Sequence, residues 1–229
     1  MRSSRWQAQG NVYLVTDEGP LSSERVRRDV GDADGILEIL DSGDEWIAIA
    51  IWNPDGSVAE MSGNGTRIAA RWLAEQTGAT QVTVRVGPRE VRATMREDGL
   101  VEQDLGPVVV GEPEEVAGQL LTTVDVGNPH AVVDGDPDDL PRIGPLLETH
   151  ERFPGRTNVQ VARRTGEGEI EARVWERGAG ETASSGSSAV AVAAALGLRP
   201  ATVRFPGGPL EIRFEGRRAF LTGPAKQLS

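Results

Sequence analysis

The chain has 229 residues, of which 38% are hydrophobic and 26% are charged, a composition typical of a globular protein that buries its own core. The formal net charge of −11 at pH 7 disfavours nucleic acid and anionic membrane surfaces as partners, because like charges repel. The chain lacks cysteine, which excludes disulfides, thiolate metal sites and cysteine nucleophiles, and its two histidines are too few for a histidine-rich metal site.

Runs of β-branched and aromatic residues, bounded by Gly, Pro, Asn or Asp, predict that strands form most of the secondary structure. In chain order, strands are predicted at 11–16, 46–52, 83–86, 130–133, 158–162, 170–175, 202–205 and 219–223. Helices are fewer and are predicted at 22–30, 66–76, 114–120, 139–147 and 187–196. The pattern predicts a mainly antiparallel α+β protein in which sheet encloses a few helices.

The chain also resembles itself. The segment "GNVYLVTD" at 10–17 aligns with "GNPHAVVD" at 127–134, and "WNPDGSVAEMSG" at 52–63 aligns with "WERGAGETASSG" at 175–186. In both halves a predicted strand ends in Trp, and a Ser-Gly pair follows ten and eleven residues later. This ordered repetition predicts two homologous lobes.

We expect the lobes to span 1–112 and 113–229, with equivalent elements facing each other across a cleft. Ser62 and Ser185 then point at one ligand from opposite sides. Each serine precedes a predicted helix, whose free backbone N–H groups and dipole favour an anion. A site that holds a small anionic ligand between two serine hydroxyls suits a racemase or epimerase. In such an enzyme one side chain removes the α-proton and the other protonates the opposite face of the α-carbon.

No apolar run approaches the roughly 18 residues of a membrane span, and the N-terminal "MRSSRWQAQG" has no apolar signal core. The sequence also contains no P-loop, no complete G-x-G-x-x-G and no G-x-S-x-G motif. We therefore expect a cytoplasmic protein that binds a small molecule and uses no metal or cofactor.

Four segments carry a family resemblance: "NPDGSVAEMSGNGTR" (53–67), "GNPH" (127–130), "RTNV" (156–159) and "WERGAGET" (175–182). They resemble the signature segments of the diaminopimelate epimerases, cofactor-independent enzymes of lysine and peptidoglycan-precursor biosynthesis. The resemblance implies two pseudo-symmetric lobes, each a mainly antiparallel sheet wrapped around a central helix. It also implies a homodimer and the interconversion of LL- and meso-diaminopimelate by two-base α-proton transfer.

The resemblance assigns roles to individual residues. Ser62 and Ser185 match the two catalytic acid/base positions, and His130 and Glu176 match the side chains that flank them. Gly63-Asn64 and Gly186-Ser187 match the helix N-termini that receive the α-carboxylate. The substrate-binding positions implied in this way are Asn11, Asn53, Gly63, Asn64, Asn128, Asn158, Glu176, Arg177, Gly186 and Ser187.

The two acid/base positions depart from the family, which has cysteine where this chain has Ser62 and Ser185. A thiol has a pKa of about 8.5, which a helix N-terminus can lower until the thiolate is populated near neutrality. A serine hydroxyl is a far weaker acid, and a base works best when its pKa lies near the working pH. Serine therefore keeps the shape of cysteine and loses its basicity.

Two alternatives to the epimerase remain. The first is a related isomerase or dehydratase that acts on another amino acid, because proton removal from one side with loss of a leaving group needs fewer strong bases. The second is a non-catalytic amino-acid-binding homologue that keeps the anion site without the bases. α-Proton exchange in the bound ligand distinguishes the binding protein from an epimerase.

Overall fold

A computed structural model describes residues 3–228, which form two compact units. The second unit is continuous and comprises Leu105–Leu221. The first unit contains the residues that precede Leu105 together with those that follow Leu221, so the end of the chain completes it. No helix among the described residues is long and apolar enough to span a membrane.

In the first half of the chain, single helices separate groups of two or three strands. Its elements are β1 (Ser4–Ala8), β2 (Asn11–Thr16), α1 (Ser23–Asp29), β3 (Gly35–Ser42), β4 (Trp46–Trp52), β5 (Val58–Ala59), α2 (Gly63–Thr77), β6 (Gln81–Val86), β7 (Arg89–Met95) and β8 (Val101–Pro107). β1 pairs antiparallel with β2, β2 pairs parallel with β3, and β3 pairs antiparallel with β4. β4 then pairs parallel with β6, and β6, β7 and β8 follow as an antiparallel meander.

The elements of the second half are β9 (Val109–Val116), β10 (Gln119–Asp125), β11 (Pro129–Asp134), a 3₁₀ turn (Pro137–Asp139), α3 (Leu140–Glu148), β12 (Asn158–Gly166), β13 (Glu169–Glu176), β14 (Gly180–Thr182), α4 (Gly186–Ala195), β15 (Ala201–Phe205), β16 (Gly208–Glu215), β17 (Arg218–Gly223) and β18 (Lys226–Gln227). The second half repeats the order of the first from β10 to β17, with β9 before it, a 3₁₀ turn before its first helix, and β18 after it. The β10–β11 hairpin is followed by a parallel β11–β12 pair, an antiparallel β12–β13 pair and a parallel β13–β15 pair. The strand connections therefore repeat, in agreement with the repeat in the sequence.

The tryptophans of the aligned segments have equivalent surroundings. Trp52 ends β4, and its indole N–H donates to the buried Glu38 carboxylate over 2.8 Å. Trp175 lies near the end of β13, and its indole N–H donates to the buried Glu148 carboxylate, also over 2.8 Å. In each repeat, an indole N–H thus ties the end of one strand, β4 or β13, to a buried carboxylate.

Helices α2 and α4 occupy the cores of their own units, which confirms the predicted α+β architecture of sheet around a central helix. In α4, Ala189–Ala194 is buried on every side, because alanine and valine present no polar face that would need water. In α2, Ile68 and Leu73 pack in one cluster with Ile47 and Ile49 of β4. β4 alternates buried and partly exposed residues, as a strand with one face on the core must.

The predicted helix over 114–120 is wrong. This stretch contains the end of β9, a two-residue turn and the start of β10, with Val116 paired to Gln119. Ala117 and Gly118 both have positive φ, 52° and 72°, which is the backbone that a tight hairpin turn of matching twist requires. The helix propensity of Glu and Ala is a weak preference, and here cross-strand pairing outweighs it.

The contact between α3 and β13 gives a stability prediction. Gly144 of α3 is buried, and a Cβ there would lie 2.8 Å from both Cβ and Cγ of Trp175. We expect Gly144→Ala to lower the free energy of unfolding by about 1–3 kcal/mol, because the Trp175 atoms next to the backbone cannot move aside. Chemical denaturation measures the loss. Gly155→Ala is the control, since nothing lies within 4 Å of its Cβ position; equal stability of the two variants would contradict the prediction.

Candidate active site

The first candidate half-site, called the Ser62 site, comprises Asn11, Tyr13, Ser62, Asn64 and Arg67. Ser62 is the N-cap of α2, with an extended backbone (φ −145°, ψ 119°), and its Oγ accepts the Gly65 N–H over 3.0 Å. The Tyr13 hydroxyl lies 3.1 Å from the same Oγ, and either oxygen can donate. Ser62 is therefore a helix cap and the partner of a phenol at once.

Arg67 supplies a buried positive charge to the Ser62 site. Its guanidinium is fully buried and donates to three oxygens: Asn64 Oδ1 at 2.6 Å, Gln103 Oε1 at 3.2 Å and the Pro224 carbonyl at 3.0 Å. Burial lowers the pKa of Arg67 to about 9, so the side chain is still a cation at neutral pH. Since all three acceptors are neutral, its charge adds to the positive end of the α2 dipole and favours an anion there.

The same guanidinium orients the amides of the Ser62 site. Because Arg67 donates to Asn64 Oδ1, the Asn64 amide nitrogen points to Asn11, whose Oδ1 accepts its N–H over 2.8 Å. The structure therefore brings Asn11, Asn64 and Ser62 together with Gly63 at the helix start. Asn53 lies in the turn after β4, where its amide donates to Ser57 Oγ over 2.9 Å, and no hydrogen bond among the described residues joins it to the Ser62 site.

The second candidate half-site, the Ser185 site, comprises Asn128, His130, Gln160, Glu176 and Ser185. Ser185 precedes α4 with an extended backbone (φ −146°, ψ 129°), but its side chain makes no capping hydrogen bond. Its hydroxyl instead hydrogen-bonds the Glu176 carboxylate, which also accepts the Thr182 hydroxyl over 2.6 Å. Ser185 therefore faces a carboxylate, whereas Ser62 faces a phenol.

Burial raises the pKa of the Glu176 carboxyl above its usual range, although the hydrogen bonds from Thr182 and Ser185 act in the opposite direction. A carboxylate with a raised pKa is a stronger base than an ordinary glutamate. It lies next to the hydroxyl of Ser185, which is itself too weak an acid to ionise near neutral pH. This pairing gives Ser185 a proton acceptor that serine alone lacks.

His130 is buried at the start of β11 and is held at both ring nitrogens. Nε2 lies 3.1 Å from Asn128 Oδ1, and Nδ1 lies 3.0 Å from Gln160 Nε2. Burial, together with the charge of Arg177, lowers the pKa of His130 to about 3, so the ring is neutral near pH 7. Since Asn128 Oδ1 can only accept, Nε2 carries the proton, and His130 orients the Asn128 amide toward Ser187 Oγ at 3.4 Å.

The turn that joins β13 to β14 is tied to the start of β12. Asn158 Oδ1 accepts the Arg177 backbone N–H over 3.0 Å, and the Asn158 amide donates to the Pro129 carbonyl over 2.9 Å. The Arg177 side chain is exposed, with one nitrogen 3.4 Å from the Gly155 carbonyl. The Asn158 side chain thus links the turn at Arg177 to the start of β11, and the Arg177 guanidinium lies at the surface. Gly186 and Ser187 are the first two residues of α4.

Sequence reasoning missed four residues of these half-sites: Tyr13, Arg67, Gln160 and Thr182. Tyr13 could have been found, because it aligns with His130 in the repeated segments 10–17 and 127–134. Arg67, Gln160 and Thr182 belong to the half-sites because of the side chains that they hydrogen-bond, and sequence spacing does not predict those contacts. Among residues 3–228 no group of three or more His, Asp or Glu side chains is placed to hold a metal ion.

Comparison with known proteins supplies the family. The family model described as diaminopimelate epimerase matches residues 20–111 and 122–228. A diaminopimelate epimerase of Synechococcus elongatus is 34% identical, with 98% of this chain and 95% of the relative covered. That of Pelotomaculum thermopropionicum is 37% identical, with 86% of this chain and 81% of the relative covered.

Two solved structures share the fold at low sequence identity. A protein described as a "Predicted Epimerase" from Pseudomonas aeruginosa superposes with a TM-score of 0.77 at 18% identity and covers 100% of this chain and 97% of its own. A hydroxyproline epimerase from Agrobacterium vitis superposes with a TM-score of 0.69 at 16% identity and covers 99% and 89%. Matched over nearly its whole length by the family model and by relatives, the chain belongs to the diaminopimelate epimerase family.

Proposed function

We propose that the chain is a cofactor-independent epimerase that interconverts LL- and meso-diaminopimelate. Family membership supports this proposal. The single observation that carries it is that the aligned serines Ser62 and Ser185 stand directly before the core helices α2 and α4, with the Glu176 carboxylate beside Ser185. The proposal includes an amino acid as ligand and a homodimer, as the family resemblance implies, and the cytoplasmic location expected from the sequence.

The Glu176 carboxylate supplies the basicity that serine lacks. When the substrate Cα–H bond breaks, its proton passes to Ser185 Oγ, and the proton of Ser185 passes to Glu176. No free alkoxide has to form, because the two transfers are coupled through the hydrogen bond between Ser185 and Glu176. The raised pKa of Glu176 brings this base closer to the working pH, where general-base catalysis is most effective.

The carbanion left at Cα is stabilised by the groups that hold the α-carboxylate. In this proposal the carboxylate binds backbone N–H groups at the start of a core helix, and the buried Arg67 adds positive potential at α2. These dipoles and charges are fixed before the reaction and need no reorganisation when negative charge develops. Ser62 then delivers a proton to the face opposite Ser185, which inverts the configuration.

The test is α-proton exchange. We expect the protein, incubated with LL-diaminopimelate in D₂O, to replace α-hydrogen by deuterium and to form the meso isomer, both followed by NMR and chiral chromatography. Ser185→Ala is the matched control and should abolish exchange, since the hydroxyl that hands the proton to Glu176 is gone. Binding of the ligand by the folded wild-type protein without any exchange would refute the epimerase and indicate the non-catalytic binding homologue.

A further inference from the structure

We propose that the Tyr13 hydroxyl is the proton-relay group of the Ser62 site, taking on that side the part that Glu176 takes at Ser185. This inference rests on the proposed epimerase function. The observation that carries it is the 3.1 Å contact between the Tyr13 hydroxyl and Ser62 Oγ. It makes the two sides of the reaction chemically different, with a phenol behind one serine and a carboxylate behind the other.

The structure holds the Tyr13 ring in place. Tyr13 lies on β2 with only 8% of its surface exposed, and its ring belongs to the apolar cluster around α2. Its partner across the parallel β2–β3 pair is Gly35, where an added Cβ would lie 2.8 Å from Tyr13 Cε1. The absence of a side chain at Gly35 is therefore what gives the ring its room, and the clamped ring aims its oxygen at Ser62.

In the described part of the chain, no carboxylate hydrogen-bonds the Ser62 side chain as Glu176 hydrogen-bonds that of Ser185. The residue that aligns with Glu176 in the repeat is Asn53, and its amide is engaged with Ser57 in a turn. Ser62 Oγ accepts the Gly65 N–H, which leaves its own proton available to a second partner. Within residues 3–228, the Ser62 side chain hydrogen-bonds the Gly65 N–H and the Tyr13 hydroxyl, and of these two groups the phenol is the titratable one.

The proton route balances in both directions. When Ser62 acts as the acid, its O–H proton forms the new C–H bond at Cα, and the Tyr13 O–H proton restores the Ser62 hydroxyl. The resulting phenolate takes a proton from solvent water before the next turnover. In the reverse direction, the phenolate accepts the Ser62 proton while Ser62 Oγ takes the α-proton. A phenol, with a pKa of about 10, carries out either transfer more readily than serine alone.

The decisive experiment removes one oxygen. Tyr13→Phe keeps the ring and is expected to lower α-proton exchange in D₂O by about 10²-fold, the usual contribution of a positioned acid or base. The same change is repeated in a Ser62→Cys background, where the thiol supplies its own proton and the loss should be at least about tenfold smaller. Equal losses in both backgrounds would overturn the relay and leave Tyr13 a packing residue.

A second readout does not depend on catalysis. Tyr13 is the only tyrosine in the chain, so the near-ultraviolet absorbance of phenolate reports its titration alone, with Tyr13→Phe as the blank. Removal of a hydrogen bond to the phenolate in Ser62→Ala should raise the titration midpoint by about one pH unit. An unshifted midpoint would overturn the coupling of the two hydroxyls.

The outcomes separate the relay from the function on which it rests. If wild-type protein exchanges no α-proton, the proposed epimerase and the relay both fail. If wild-type protein exchanges the proton and Tyr13→Phe does so at the same rate, the relay fails and the epimerase stands. A loss confined to the serine background, with a shifted phenol titration in Ser62→Ala, supports the relay.

Discussion

Replacing Ser62 and Ser185 together by cysteine is expected to raise the rate of α-proton exchange in LL-diaminopimelate by about 10²- to 10⁴-fold. Each position lies at the N-terminus of a buried helix, where the dipole and free N–H groups favour a thiolate. A thiol starts from a pKa of about 8.5, so a modest decrease populates the base at neutral pH. NMR in D₂O follows the exchange.

Controls for the double cysteine variant test whether faster exchange requires the thiols at positions 62 and 185 or follows from a thiol anywhere in the protein. Ser42→Cys places a thiol at an exposed position at the end of β3 and should leave the exchange rate at the wild-type value. The single variants should each give an intermediate rate, because the reaction needs one group on each face. A folded double variant that binds the substrate yet exchanges no faster than wild type would contradict the assignment of these positions as the acid/base pair.

Glu176→Gln is expected to lower the rate of α-proton exchange by about 10²- to 10³-fold, while the ligand still binds. The amide keeps the size of the side chain but cannot take the proton of Ser185. In the wild-type protein the rate should rise with pH through the raised pKa of Glu176, since only the ionised carboxylate accepts a proton. That rise should be absent in Glu176→Gln. Exchange kinetics and calorimetric titration of the substrate measure the two properties.

Unfolding would not explain the loss in Glu176→Gln. A carboxyl whose pKa is raised in the folded protein is ionised at a cost, so its stabilising contribution exists below the unfolded pKa and disappears as the pH rises through the folded value. The neutral amide avoids this cost, and the variant should be at least as stable as wild type near pH 7. Glu181→Gln is the control, because Glu181 is exposed and pairs with Arg173. Equal losses from both variants would refute the role of Glu176.

The sequence predicted the parts of this site that are local. A Ser-Gly pair before a small-residue run specifies a helix start, and its repetition identified Ser62 and Ser185 as equivalent. The α+β architecture followed from short β-branched runs between turns. The helix predicted over 114–120 failed because a hairpin turn at Ala117 and Gly118 depends on backbone angles and pairing that composition does not encode.

The rest of the site depends on contacts between distant residues. Tyr13 and Ser62 are 49 positions apart, and Arg67 reaches a carbonyl 157 positions away. The neutrality of His130 likewise follows from burial, which one sequence does not reveal. Residue types and spacing therefore located the two serines, while their different partners, phenol and carboxylate, needed the structure.

The discontinuity of the first unit has a consequence for the order of synthesis. Residues after Leu221 complete that unit: Ala225 joins its apolar cluster, the Pro224 carbonyl accepts from Arg67, and Lys226 pairs with Gln7 of β1. A nascent chain on the ribosome makes its N-terminal segment first and this closing strand more than a hundred residues later. The continuous second unit can therefore close before the first, and the guanidinium at the Ser62 site gains its last acceptor only when translation reaches the end of the unit.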